Sequence, residues 1–104
     1  MAAPRDVVRA FVDTKPRHCI VLDVRPDGRL IVVPFHGSPP RVGKYEIVQP
    51  QSQAGRALGL EKVTHLGNKV TPIRAQDADP TRYTCPPELF VRLLIATGFP
   101  PPKG

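Results

Sequence analysis

Cysteine is scarce in this sequence, and the two present are poorly placed for sulfur chemistry. Cys19 and Cys85 lie far apart, with no Cys-x-x-Cys and no histidine at ligand spacing, which argues against a structural zinc site. Long apolar runs are missing as well. Nothing approaches the roughly 20 residues that a membrane-crossing helix needs, and the opening "MAAPRDVVRAF" carries charges where a secretion signal requires an unbroken apolar stretch. A cytoplasmic chain with reduced thiols is the expectation, with Cys19, inside an apolar run, serving to pack the interior. Close carboxylates are limited to Asp77 and Asp79 in "QDADP", the composition of a solvated turn. Phosphate-loop, dinucleotide and Gly-x-Ser-x-Gly fingerprints are all absent. No metal and no cofactor is therefore expected, and the chemistry left open is that of histidine and arginine.

What the chain does have is positive charge. Fifteen Lys and Arg against nine acids give a formal charge of +6 and a pI near 9.9, a balance that favours a polyanionic partner, either nucleic acid or an acidic protein. The excess is concentrated in the middle. Between His36 and Arg74 stand Arg41, Lys44, Arg56, Lys62 and Lys69, opposed by Glu46 and Glu61 alone. A length of 104 residues suits one domain, 1–104, with one modest core. Fourteen prolines are many, yet the apolar residues are grouped into runs, as in chains that fold.

Those runs read mainly as strands. "DVVRAFVD" (6–13) and "RHCIVLDV" (17–24) are β-rich, and the connection "TKP" between them is short enough to demand an antiparallel hairpin. In "RPDGR", Pro26 presets one turn dihedral and Asp27-Gly28 supplies the positive φ of a second tight hairpin. Leu30 to Phe35 is apolar on both faces, the mark of a central strand covered on both sides. Pro34 cannot donate to a ladder, so this strand is expected to leave the sheet or bulge just before His36. "KYEIVQP" reads as a fourth strand, "QSQAGRALGLEK" as a polar connection, and "KVTHL" and "NKVTPIRA" as short strands split by a positive-φ pair, Gly67-Asn68. The last element differs in kind. In "TCPPELFVRLLIATGFPPP" prolines open a helix, Glu88 suits its positive end, Leu89, Phe90, Leu93 and Leu94 form one apolar face, and Gly98 caps it. The fold class expected is mainly β, five to seven short antiparallel strands closed by a C-terminal helix, with a frayed Pro-rich tail at about 100–104.

Cleaving RNA without metal needs a base for the 2′-hydroxyl, an acid for the departing 5′-oxygen and a cation for the charge gathering on phosphorus. His36 can serve as base or acid, since an unperturbed imidazole titrates near neutrality. Counting outward from residues 24 and 29, which flank the Asp27-Gly28 turn, sets Arg17 opposite His36, where cross-strand side chains approach to roughly 5 Å. A one-residue bulge would send them to opposite faces. His18 falls on the face of Ile20 and Leu22, where a partly buried, hydrogen-bonded role is expected, and "VTHLGN" is too irregular to place His65.

In the order of these elements the chain resembles the MazF/PemK family of toxin-antitoxin ribonuclease toxins. "RDVVRAFVD" is similar to the family's opening strand, "KPRHCIVL" to its Arg-Pro-x-Leu-Val-Leu strand, "LIVVPFHGS" to its Val-Val-Val-Pro-Ile-Thr-Ser strand and "CPPELFVRLL" to its closing helix. "YEIVQP", "GLEK" and "PIRAQD" match further, weaker stretches, so the resemblance spans most of the chain. It implies an SH3-like β-barrel, usually a homodimer, that cuts single-stranded RNA without metal and is neutralised by an acidic antitoxin protein. The family's catalytic Arg falls on Arg17, its catalytic Thr on His36 and the Ser beside it on Gly37, with Ser38 one step on; the arginine of its Ile-Arg-Thr motif falls on Arg74. Lys15, Ser38, Arg41, Lys44 and Arg74 are the residues expected to line an RNA path.

The departures bear on the chemistry. The family's long first loop is cut to "TKP", the proline after the catalytic arginine is His18, and a hydroxyl is replaced by an imidazole at position 36. A hydroxyl mainly donates a hydrogen bond, whereas imidazole can shuttle a proton. The expectation is thus either a reworked endoribonuclease or an inactive basic barrel that binds nucleic acid or an acidic partner protein.

Overall fold

The computed structural model describes residues 2–67 and 69–99. Asn68, expected to share a positive-φ pair with Gly67, and the Pro-rich tail from residue 100 lie outside the described residues. Gly67 itself does not have positive φ.

The chain is mainly β. Its strands are β1 (Asp6–Val12), β2 (Lys15–Val24), β3 (Arg29–His36), β4 (Glu46–Val48), β5 (Thr64–Leu66), β6 (Thr71–Arg74) and β7 (Asp79–Thr84), with a short helix α1 (Gln53–Leu58) and a closing helix α2 (Pro87–Thr97). The strands form one strongly curled antiparallel sheet in the order β4-β5-β3-β2-β1-β7, with β6 also paired to β3. This is the curvature of a small half-barrel closed at one side by α2.

Two hairpins set the register. The first is tighter than "TKP" suggests: Val12 pairs with Lys15, so the turn is Asp13-Thr14 and Lys15 and Pro16 already belong to β2. Both turn residues have positive φ, 53° and 65°, the geometry that matches strand twist but normally calls for Asn or Gly. A β-branched threonine there carries local strain. In the second hairpin Gly28 alone takes the positive φ, 90°; its N–H donates to the Arg25 carbonyl at 3.0 Å, and the Arg29 N–H donates to Asp27 Oδ1 at 3.0 Å. That turn is one residue longer than a symmetric count assumes, pairing Val24 with Leu30. A bulge at Leu22 then removes the offset, so Val21 pairs with Val32, Ile20 with Val33 and Cys19 with Pro34. Two irregularities cancel.

β3 does not leave the sheet at Pro34. Its first half, Arg29 to Val32, pairs with β6, and its end, Phe35 and His36, pairs with β5 on the same edge. Pro34 falls at the handover between these partners, where the missing N–H disrupts neither ladder.

Each face of the curled sheet carries a buried core. On one, Val7, Ile20, Leu22, Val33 and Leu66 pack under Leu89, Phe90 and Leu93 of α2. On the other, Val8, Val12, Cys19, Val21, Leu30 and Val32 pack together inside the curl, joined by Ile73 and Ala78. This explains the doubly apolar β3. Helix α2 ends as the sequence indicates, with Gly98 left-handed at φ 68°.

Two polar elements depart from expectation. The connection 51–62 contains α1, capped by Ser52, whose Oγ accepts from the Gly55 N–H at 2.9 Å, and closed by Gly59 at φ 71°. A side chain at Gly59 would also strike the Tyr83 ring. The solvated turn expected at "QDADP" is confined to a 3-10 turn, Ala75–Asp77, and the chain then forms β7 against β1. β7 is a half-exposed edge strand without an apolar run, so no hydrophobic pattern announces it.

Candidate functional site

The alternation of side chains along three strands brings a set of polar groups to one face. On β2, Cys19 and Val21 enter the inner core, so Arg17 continues that face. On β3, Val33 and Phe35 belong to the core under α2, which turns His36 the other way. Carrying the Cys19–Pro34 pairing two residues outward sets Arg17 against His36. On the far side of β3, His36 pairs directly with His65 of β5, and His65 with Ile47 of β4. With Ala10, the partner of Arg17 on β1, the row across the sheet reads Ala10, Arg17, His36, His65, Ile47. Directly paired residues share a face and approach to roughly 5 Å.

In front of the two imidazoles lies a cleft of about 820 Å³, lined among others by Asp13, His36, Ser38, Arg41, His65 and Lys69. That volume lies within the range of small-molecule and cofactor sites, roughly 300–1,000 Å³. The Lys62 Nζ stands near Gly37, 3.8 Å from where a β-carbon there would be. The rim is therefore cationic, with Asp13 as a carboxylate on the turn.

His36 is half-buried, and its pKa is lowered from the ordinary imidazole value. Burial is the main cause, the Arg17 guanidinium adds to it, and Asp13 partly opposes both. Near neutral pH His36 is thus held in its uncharged form, with one ring nitrogen bare to accept a proton. The thiols are different. Both are fully buried, and burial pushes Cys19 and Cys85 up to about 12, which leaves neither as a nucleophile.

The residues expected to act together are distributed unevenly. Arg17 stands beside His36, but its Nη1 donates to the Phe35 carbonyl at 2.9 Å and its Nε is buried without a partner; it does not line the cleft. Ser38 and Arg41 do. Lys15 begins β2 and Lys44 lies in the loop before β4, both exposed and outside the lining. Arg74 belongs elsewhere: it is exposed, ion-paired to Asp77 at 3.0 Å, and lines a second hollow with Arg9, Phe11 and Asp79. His18 is exposed, not partly buried, and leans on the Phe35 ring at 6.1 Å between centroids. His65, which the sequence does not place, and Lys69, one cation of the central basic excess, also line the cleft. Nothing in the local sequence pairs residue 65 with residue 36; only the alternation in "THL", with Leu66 facing the core, hints that His65 faces away from it.

Among the described residues no three His, Cys, Asp or Glu side chains gather as a metal site would require, and no helix is long and apolar enough to cross a membrane. No protein-family model matches the chain, and no curated protein matches it in sequence.

Proposed function

We propose that this protein is a cytoplasmic, metal-independent endoribonuclease acting on single-stranded RNA, an SH3-like barrel of the MazF/PemK kind that works as the toxin of a toxin-antitoxin pair. One observation carries the reading: an uncharged imidazole, His36, stands in an open cationic cleft with a guanidinium behind it. In the proposed reaction the RNA 2′-oxygen bonds to the adjacent phosphorus and its proton passes to His36. The phosphorus–O5′ bond then breaks, and the imidazolium so formed returns a proton to O5′. The products are a 2′,3′-cyclic phosphate and a 5′-hydroxyl end, with atoms and charge balanced. Arg17 supplies positive charge beside the reacting imidazole, and Ser38, Arg41 and Lys69 hold the strand. Lys15 and Lys44 extend the basic track, and Arg74 marks a second, more distant RNA contact. An acidic antitoxin would compete for the same cations, and a homodimer is the assembly this reading expects.

A second reading has its own support. Because Arg17 is engaged by the Phe35 carbonyl, the cleft could serve binding alone, as an inactive basic barrel for nucleic acid or an acidic partner. Incubation of a long, mixed-sequence single-stranded RNA with pure protein in a chelator separates the two. The first reading expects cyclic-phosphate ends, lost on His36→Ala. Salt-sensitive binding with no turnover would replace it with the second.

A further inference from the structure

His65 is the group in the cleft that this mechanism does not use. It is the direct cross-strand partner of His36, it lines the same cleft, its ring lies 5.8 Å from that of Tyr45, and its Nδ1 is buried without a hydrogen-bond partner. Orphaned buried N–H groups are rarer in native structures than under-satisfied acceptors. An N–H on His65 therefore belongs on Nε2, the nitrogen left to meet the cleft. His65 is in this way built as a donor toward the cleft.

We infer that His65 is the phosphate-oxygen site of the cleft: an Nε2–H that donates to a non-bridging oxygen of the scissile phosphate, beside the imidazole that handles the proton. This rests on the ribonuclease reading for its substrate. It also supplies what the register alone would have assigned to Arg17, whose Nη1 is committed to a backbone carbonyl. A donor fixed in position before the reaction stabilises the oxygen as charge develops on it, with no reorganisation during the step. The charged and titratable groups around the pair come from every neighbouring element: Arg17 on β2, Asp13 in the first turn, Arg41 in the loop after β3, Lys69 beyond β5 and Tyr45 before β4.

The test uses the full-length protein with two RNAs of one sequence, an ordinary strand and a fully 2′-deoxy strand that binds without being cut. Removing one oxyanion donor lowers turnover by about 10²–10³-fold, so His65→Ala is expected to lose that much on ordinary RNA and to bind the deoxy strand more weakly. His65→Gln and His65→Asn, which keep an N–H donor but cannot transfer a proton, are expected to recover most of the loss. Nitrogen NMR of the free protein is expected to show His65 as the Nε2–H tautomer. Two outcomes overturn the inference while sparing the ribonuclease: His65→Gln and His65→Asn as inactive as His65→Ala in protein that melts normally, or an Nδ1–H tautomer. Wild-type protein that binds both strands and cuts neither removes the ribonuclease, and His65 then stands or falls on the deoxy-strand affinity alone.

Discussion

The two halves of the sheet are built on different principles. β1, β2 and β3 run seven, ten and eight residues, pair over most of their length and contribute side chains to both cores. β4 and β5 are three residues each, and one face of the pair turns to the cleft and to solvent. The long half sets Arg17 and His36 by register; the short half adds His65 by contact with the last two residues of β3. The difference separates holding a group in place from presenting it. Long ladders fix a backbone, while a short, half-exposed leaf lets a polar side chain face a ligand.

The strongest way to break this comparison is at the junction of the halves. His36→Ala is expected to lower RNA cleavage by about 10²–10⁴-fold, the span of a general acid–base group, with the melting transition nearly unmoved; single-turnover cleavage beside a thermal melt measures both. Next in size are two core truncations that set the halves against each other. Leu22 and Leu66 are both fully buried, and Leu→Ala in a core costs about 2–5 kcal/mol depending on how far the site collapses. Urea unfolding is expected to put Leu22→Ala near the upper end and Leu66→Ala near the lower, because a three-residue strand can settle into the space. Equal values would mean that the short leaf is held as firmly as the long ladder.

A smaller effect comes from pH. Because folding lowers the His36 pKa, the unfolded chain binds this proton more readily. The stability present above the ordinary imidazole value of about 6.5 is therefore lost as pH falls from there through the folded-state value. Urea midpoints measured between pH 8 and pH 5 are expected to drop, and His36→Gln to remove part of that slope. The smallest effect concerns the link from the short leaf to the helix. Arg92 Nε donates to Glu46 Oε1 at 2.7 Å, with side chains 52% and 27% exposed. Arg92→Ala is expected to cost about 0.2–1 kcal/mol, read as a shift of the urea midpoint.

Much of the long half is legible in the sequence because its signals are local. β-rich runs mark β1 and β2, the Pro-Asp-Gly turn marks their continuation, and the caps of α2 are written at both ends. The Cys19–Pro34 register, which carried outward sets Arg17 against His36, is also reached by counting, though through two errors that cancel: a turn one residue longer and a bulge at Leu22. The short half is barely legible. The partner of His36 comes from a strand nearly thirty residues later, and pairing at that distance leaves no local trace. α1 and β7 escape for a related reason, since a helix of six residues and a polar edge strand lack the periodicity that patterning detects.

Pro34 ties these points together. A residue with no amide hydrogen sits where β3 passes from one neighbour to another, so the β4–β5 leaf and the ladder behind it share no bond at that point. The two partners that β3 has on this edge, β6 and β5, can then loosen independently, as separate opening units do, and amide exchange along this one strand is expected to step from one rate to another on crossing a single imino acid.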